Sequence, residues 1–179
     1  MSRNLLLSID IGVKNLGYAL FDIDADKLEP IKAGNYGCSS QHPNLTATSK
    51  DICNFIDTLI KDDQLKVLLI ENQIFTTNCK IQFYISGYFT AKCGCNVIGW
   101  SSKAKLTSPV AKYFGIEINH LIHSWPDRKL ISGYILGGVP EDFAKFDEWL
   151  SCRHDTHEAI LQGLEYLFKV RKIDKKKKK

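Results

Sequence analysis

Four carboxylates stand at positions where the chain makes a negative charge expensive. Asp10 sits inside the apolar stretch NLLLSIDIG, and Glu71 closes a second one, VLLIENQ. Asp155 and Glu158 lie three residues apart in RHDTHEAILQ, a spacing that puts both on one face of a helix. A carboxylate within an apolar run is costly to bury unless it is paired or binds a cation. Four of them together repel one another, and divalent cations remove that repulsion. Oxygen-only ligands suit Mg2+ or Mn2+. Two such ions about 4 Å apart activate a water and stabilise the leaving oxygen of a phosphodiester. The plain structural alternative is that Asp10 caps a core strand, while Asp155 and Glu158 favour the positive end of a helix dipole.

The elements that must position these acids follow from the hydrophobic pattern. Residues 5–9 read as a central strand, apolar on both faces. Gly12 and Gly17 then let the chain turn and approach something closely. Residues 18–23 read as the returning strand, and 29–36 as a third, with Pro30 arguing for an edge position. A helix is predicted over 46–62, its apolar stripe made by Ile52, Phe55, Ile56, Leu59 and Ile60. A fourth strand spans 66–70. A second helix spans 77–92, with Ile81, Tyr84, Ile85, Tyr88 and Phe89 on its apolar face, and a fifth strand spans 96–100. Residues 106–114 are predicted helical with Pro109 near the start, 115–140 irregular, and 141–150 helical. A strong last helix covers 155–170. The order gives an α/β fold, a five-stranded mixed sheet flanked by helices, with strands four and five parallel to strand one.

The chain of 179 residues reads as one domain over 1–172, followed by a disordered lysine-rich tail at 173–179. The formal net charge is +4, but five of the 24 basic residues are Lys175 to Lys179. Without them 19 basic side chains face 20 acidic ones, so a binding surface on the body must come from uneven placement of charge. The six cysteines are expected to be reduced thiols. Cys93-Gly-Cys95 lacks the second pair that a zinc site needs. No apolar run reaches the length that spans a bilayer, and MSRNLLLSIDIG does not read as a secretory leader.

The blocks SIDIGVKNLGYALFD and VLLIENQ, followed by an Asp-x-x-acid pair opening the last helix, resemble the Holliday junction resolvases of the RNase H-like superfamily, poxvirus-type and RuvC-like. The resemblance covers most of the chain in element order and is weakest over 106–150. It implies an RNase H-like fold and a Mg2+-dependent endodeoxyribonuclease that resolves four-way (Holliday) junctions by paired symmetric nicks. It also implies two Mg2+ per site, with Mn2+ able to substitute. The implied catalytic and metal-holding acids are Asp10, Glu71, Asp155 and Glu158. The last departs from the family's usual Asp by one methylene. His154 and His157 are the second-tier candidates for an auxiliary ligand or proton carrier beside it. The family's catalytic lysine falls on SKAK, with Lys105 the first choice and Lys103 the second. Such a lysine neutralises charge on the scissile phosphate.

The same resemblance implies branched DNA as the partner. Ile74 and Phe75 follow the Glu71 block, and Phe75 is the candidate wedge against unpaired bases, since an aromatic face stacks on any base. A core Phe is the structural alternative. Lys14, Asn15, Lys80, Lys103 and Lys105 are the expected DNA contacts, with Lys92 and Lys112 further along the same side. Ser86-Gly87 permits close approach of the second helix to a copy of itself. A two-fold homodimer matches a substrate that needs two symmetric cuts. The implied location is the cytoplasm or a viral replication site, with nucleus and mitochondrion as alternatives. The competing functions are an RNase H-like nuclease on hybrid or other branched substrates, a sugar-kinase-like ATPase, and a noncatalytic nucleic-acid-binding module.

Overall fold

In the computed structural model the described residues are 2–12, 14–38, 44–61, 63–121 and 125–173, the side chains of 125–128 excepted. Asp62 and the lysines of the tail lie outside them. The chain runs β1 (Asn4–Ile11), β2 (Asn15–Asp22), β3 (Lys32–Gly37), α1 (Leu45–Ile60), β4 (Gln64–Glu71), α2 (Thr76–Cys93) and β5 (Asn96–Trp100). A 3-10 turn at Ala104–Thr107 leads to α3 (Pro109–Phe114) and a second, Asn119–Leu121, to α4 (Trp125–Gly137). Then follow α5 (Asp147–Leu150) and α6 (His154–Val170). The five strands form one sheet in the order β3-β2-β1-β4-β5. The first three make an antiparallel meander, and β4 and β5 run parallel to β1. This is the expected mixed sheet.

Strand alternation sorts the core into two layers. Leu5, Leu7, Ile9 and Ile11 of β1, with Leu68 and Ile70 of β4, pack under α1 and α2 against Ile52, Ile56, Ile81, Ile85 and Phe89. Leu6 of β1, Phe21 of β2, and Val67 and Leu69 of β4 face the other way, onto α6, α3 and α4. Period two therefore turns Asp10 and Glu71 toward α6, together with Trp100 of β5. Helix α6 is a buried beam: from Ala159 to Phe168 only Tyr166 is not fully buried. Its Gly163 lies so close to the Phe21 ring that an added Cβ would fall 2.2 Å from Cε2.

Three expectations change. Residues 115–140 are not irregular, because α4 occupies 125–137. Pro126, read as a breaker, is the second residue of that helix, where its missing N–H leaves no bond unmade. Residues 141–150 do not form one helix, and only Asp147–Leu150 is helical. Phe143 N and Ala144 N both bond to the Pro140 carbonyl, and Ala144 and Phe146 insert into the core, which holds this segment in turns. β3 begins at Lys32 rather than 29, since Leu28 and Pro30 are buried in the bend before it.

Gly163→Ala should overpack the α6–β2 contact. We expect a loss of about 1–3 kcal/mol in urea unfolding, with the m-value unchanged.

Candidate active site

The ends of two parallel neighbours build the site. Ile9 of β1 is in register with Ile70 of β4, so the next residues, Asp10 and Glu71, stand side by side on the α6 face. Their carboxyls face each other closely enough to perturb one another's ionisation. Burial is the first cause that raises the pKa of Asp10, and the bond to Glu71 and the charges of Glu71 and Asp155 add to it. Glu71 is also raised, first by burial and then by repulsion from Glu158 and Asp155, while the bond to Asp10 and the charge of Lys105 act in the opposite direction.

Helix α6 delivers the other two acids because β2 makes room for it. Gly17 is the partner of Asp10 in the β1–β2 register. A Cβ there would lie 2.2 Å from the Asp155 carbonyl oxygen, so only glycine lets the first turn of α6 rest on the sheet beside Asp10. Asp155 then faces His154, with Nε2 to Oδ1 at 2.5 Å. Glu158, one turn on, is raised by burial and held back by its ion pair with Lys105. Ser132 of α4 lies against the same carboxyl. Lys105 comes from the 3-10 turn after β5 and is largely buried with Glu158.

Asp10, Glu71, Lys105, Asp155 and Glu158 are thus brought together. Lys103 is not part of that cluster; it is exposed and its backbone N–H donates to Ser101 Oγ. His157 does not face the acids. Its ring packs on Gly133 of α4, and Nε2 lies 3.1 Å from the Trp149 carbonyl oxygen. His154, by contrast, is exposed and in direct contact with Asp155. Oriented to satisfy both neighbours, the Asn15 amide donates to the Lys14 carbonyl and accepts from Arg153 Nη1, each at 3.2 Å. Lys14 and Lys80 are exposed. Phe75 is not a core residue: it is 69% exposed and Ile74 is 84% exposed. Beneath them the loop is pinned by Gln73, whose side-chain amide donates to the Glu71 carbonyl and whose backbone N–H donates to Gln82 Oε1. Asn78 Nδ2 ties this loop to the Ile11 carbonyl of β1.

Sequence reasoning missed Ser132, Arg153 and Glu165. Glu165 had a legible signal, since it falls on the apolar stripe of the last helix one turn after Leu161.

The donor set suits a hard divalent cation. The carboxylates are crowded and raised by burial, and among the described residues Lys105 is the lysine paired with them. Among the described residues no three His, Cys, Asp or Glu side chains already converge on one point, because Asp155 is turned to His154 and Glu158 to Lys105.

Residues 4–108 match the protein family described as poxvirus A22 protein. No curated protein sequence matches the chain. Among solved structures it is similar to the fowlpox virus resolvase in complex with substrate Holliday junction DNA, at 18% identity and a TM-score of 0.62, covering 93% of this chain and 98% of that one. It is also similar to Thermus thermophilus RuvC, at 13% identity and a TM-score of 0.59, covering 94% and 96%. The same RuvC bound to a Holliday junction substrate gives 14% and 0.59, with the same coverage. The fold is RNase H-like.

The raised Asp10 carboxyl contributes to the pH dependence of the metal-free protein, alongside Glu71, Glu158 and Glu165. A carboxyl whose folded pKa exceeds its unfolded value of 3.8 gives stability that is complete below that value and is lost as pH rises toward about 9. Thermal unfolding in EDTA should therefore show wild type losing stability from pH 5 to 8.5. Asp10→Asn should show a flatter profile and exceed wild type by about 1–3 kcal/mol at the upper end.

Proposed function

This chain belongs to the poxvirus A22 protein family, and from that premise we propose that it is a divalent-metal-dependent endodeoxyribonuclease that resolves four-way DNA junctions by paired nicks. The observation that carries this reading is the convergence of Asp10 and Glu71 under the first turn of α6, with Asp155, Glu158 and Lys105 around them. The two similar structures crystallised with Holliday junction DNA support the choice of substrate.

Asp10, Glu71, Asp155 and Glu158 would hold Mg2+, with Mn2+ as substitute. Bound there, two ions supply an activated water and a stabilised leaving oxygen. The chain's own groups do the rest. Ionisation of the raised Asp10 and Glu71 carboxyls would provide the anionic ligands. His154, in contact with Asp155, orients that carboxylate from the solvent side. Lys105 places a positive charge beside the acids, where it offsets negative charge growing on the scissile phosphate. The exposed Ile74–Phe75 tip, on a loop held rigid by Gln73 and Asn78, offers a stacking surface to unpaired bases at the junction centre.

Two symmetric cuts call for two sites, and α2 supplies the surface for a two-fold homodimer. One side of α2 buries Ile81, Ile85 and Phe89, yet the opposite side carries Phe83 at 76% exposure beside Tyr84 at 37%. Gly87, one turn past Phe83, is open: a Cβ there meets nothing within 4 Å. Apolar rings beside an open glycine on an exposed face suit close packing against a second copy. The reading as a noncatalytic DNA-binding module draws on the acids' existing partners, Lys105 and His154. The experiment below separates the two.

Purified protein is incubated with labelled four-way junction, linear duplex and RNA–DNA hybrid, in Mg2+ or EDTA. We expect paired nicks in the junction with Mg2+ alone. Asp10→Asn should bind the junction and not cleave it. Phe83→Glu should sediment as a monomer and lose paired nicking. Junction binding without cleavage by wild type supports the noncatalytic module. Cleavage of the hybrid alone supports an RNase H-like activity.

A further inference from the structure

Behind the acids lies a second, deeper carboxylate that the scheme above does not use. Glu165 is on α6, two turns past Glu158, and is 1% exposed. Ser108 and Trp100 stand beside its carboxyl and act against the burial that raises it. Its Oε1 has no partner, and neither does Nε2 of the buried Gln162. Both side chains line a small cavity whose other walls include Glu71, Lys105, Glu158 and Trp100. The cavity volume is about 10 Å³, the room for a single water. A water there can donate to Glu165 Oε1 and accept from Gln162 Nε2, which satisfies both orphaned atoms.

A buried carboxylate with no cation of its own is a poor way to fill a core. Lys105 shares the cavity, and its charge works against the burial that raises the Glu165 carboxyl to about 7, while Lys169 and Lys172 line a separate pocket beside the same side chain. Lys105 is already paired with Glu158, however, and Glu158 is one of the four acids asked to hold a divalent ion. When Glu158 turns to that task, Lys105 loses its direct counter-charge. We propose that Glu165 is the positioning residue for Lys105: through the cavity water it serves as a standing counter-ion that keeps the ammonium at the site once Glu158 is released.

The role rests on the nuclease reading, so the test carries one arm that does not. Glu165→Gln keeps the shape of the side chain and removes its charge. In the nuclease arm, single-turnover junction cleavage should fall about tenfold while the Kd for the junction stays within twofold. In the second arm, the rate at which Lys105 is acylated by an N-hydroxysuccinimide ester is followed by peptide mass spectrometry in EDTA. At pH 8.5, where Glu165 is ionised, it should rise about threefold in Glu165→Gln, since one of the negative charges around the ammonium is gone. Gln162→Leu, which removes the other wall of the water site, should move both readouts in the same direction and serves if Glu165→Gln does not fold. Unchanged labelling overturns the proposal whatever happens to cleavage, and so does cleavage within twofold of wild type. Failure of wild type itself to cleave defeats the nuclease reading and leaves the labelling arm to decide whether Glu165 governs Lys105.

Discussion

Two parallel strands that end in carboxylates on the same buried face set the terms for the rest of this molecule. Asp10 and Glu71 are adjacent because Ile9 and Ile70 are in register, and both point at α6 because side chains alternate. The pair has no intrinsic stability: both groups lose hydration, and they repel if both ionise. The fold meets that cost by raising the pKa of Asp10, with burial as the first cause. Each surrounding feature then answers the same electrostatic problem. Lys105 supplies positive charge, His154 engages Asp155, and Glu158 is held back by the lysine it faces. A protein that selected only for stability would place apolar side chains here.

The apolar framework makes that arrangement affordable. Helix α6 is packed along three sides, against β1 and β2 below and α3 and α4 above, so its first turn cannot drift from the sheet. Gly17 and Gly163 are where it comes closest, against Asp10's neighbour strand and the Phe21 ring. The acids at its N-terminal end thus sit on a rigid element rather than on a loop. The outer side of α2 is built differently, with rings left in solvent. That contrast separates an exposed apolar face from a face where charge is held in place.

Which parts were legible in the sequence follows from the range of the interactions that fix them. β1 and β4 are short, largely apolar runs bounded by turns, and burial on both faces writes itself into composition, whereas β5 is a half-exposed edge strand marked by Val97, Ile98 and Trp100. Asp10 and Glu71 stood out because they break those runs. Helix α4 was hidden by Pro126, Gly133 and Gly137-Gly138, although Ile131 and Ile135 do follow helical spacing into the core. Gly133 is there because the His157 ring occupies the space its Cβ would need, a tertiary reason no local pattern shows. The same holds for Lys103 and Lys105. Only the turn of the 3-10 segment decides which of them reaches Glu158. Phe75 read equally well as core or surface until Gln73 and Asn78 were seen to fix the loop beneath it and leave the ring outside.

The low identity to the two resolvases, 18% and 13%, is what this division of labour predicts. A packed layer tolerates wide exchange of apolar side chains if pattern and volume are kept. Residues 5–7 and 67–70 can therefore vary without moving the register of β1 and β4. The site has no such freedom. Moving Asp10 by one residue turns it to the α1–α2 face, and a side chain at position 17 pushes away the turn that carries Asp155. Glu158 reaches Lys105 with its full side-chain length and is ion-paired where it ends. Glu165 extends the same logic inward: a charge in a core is tolerated where removing it would free a lysine that the site needs in place.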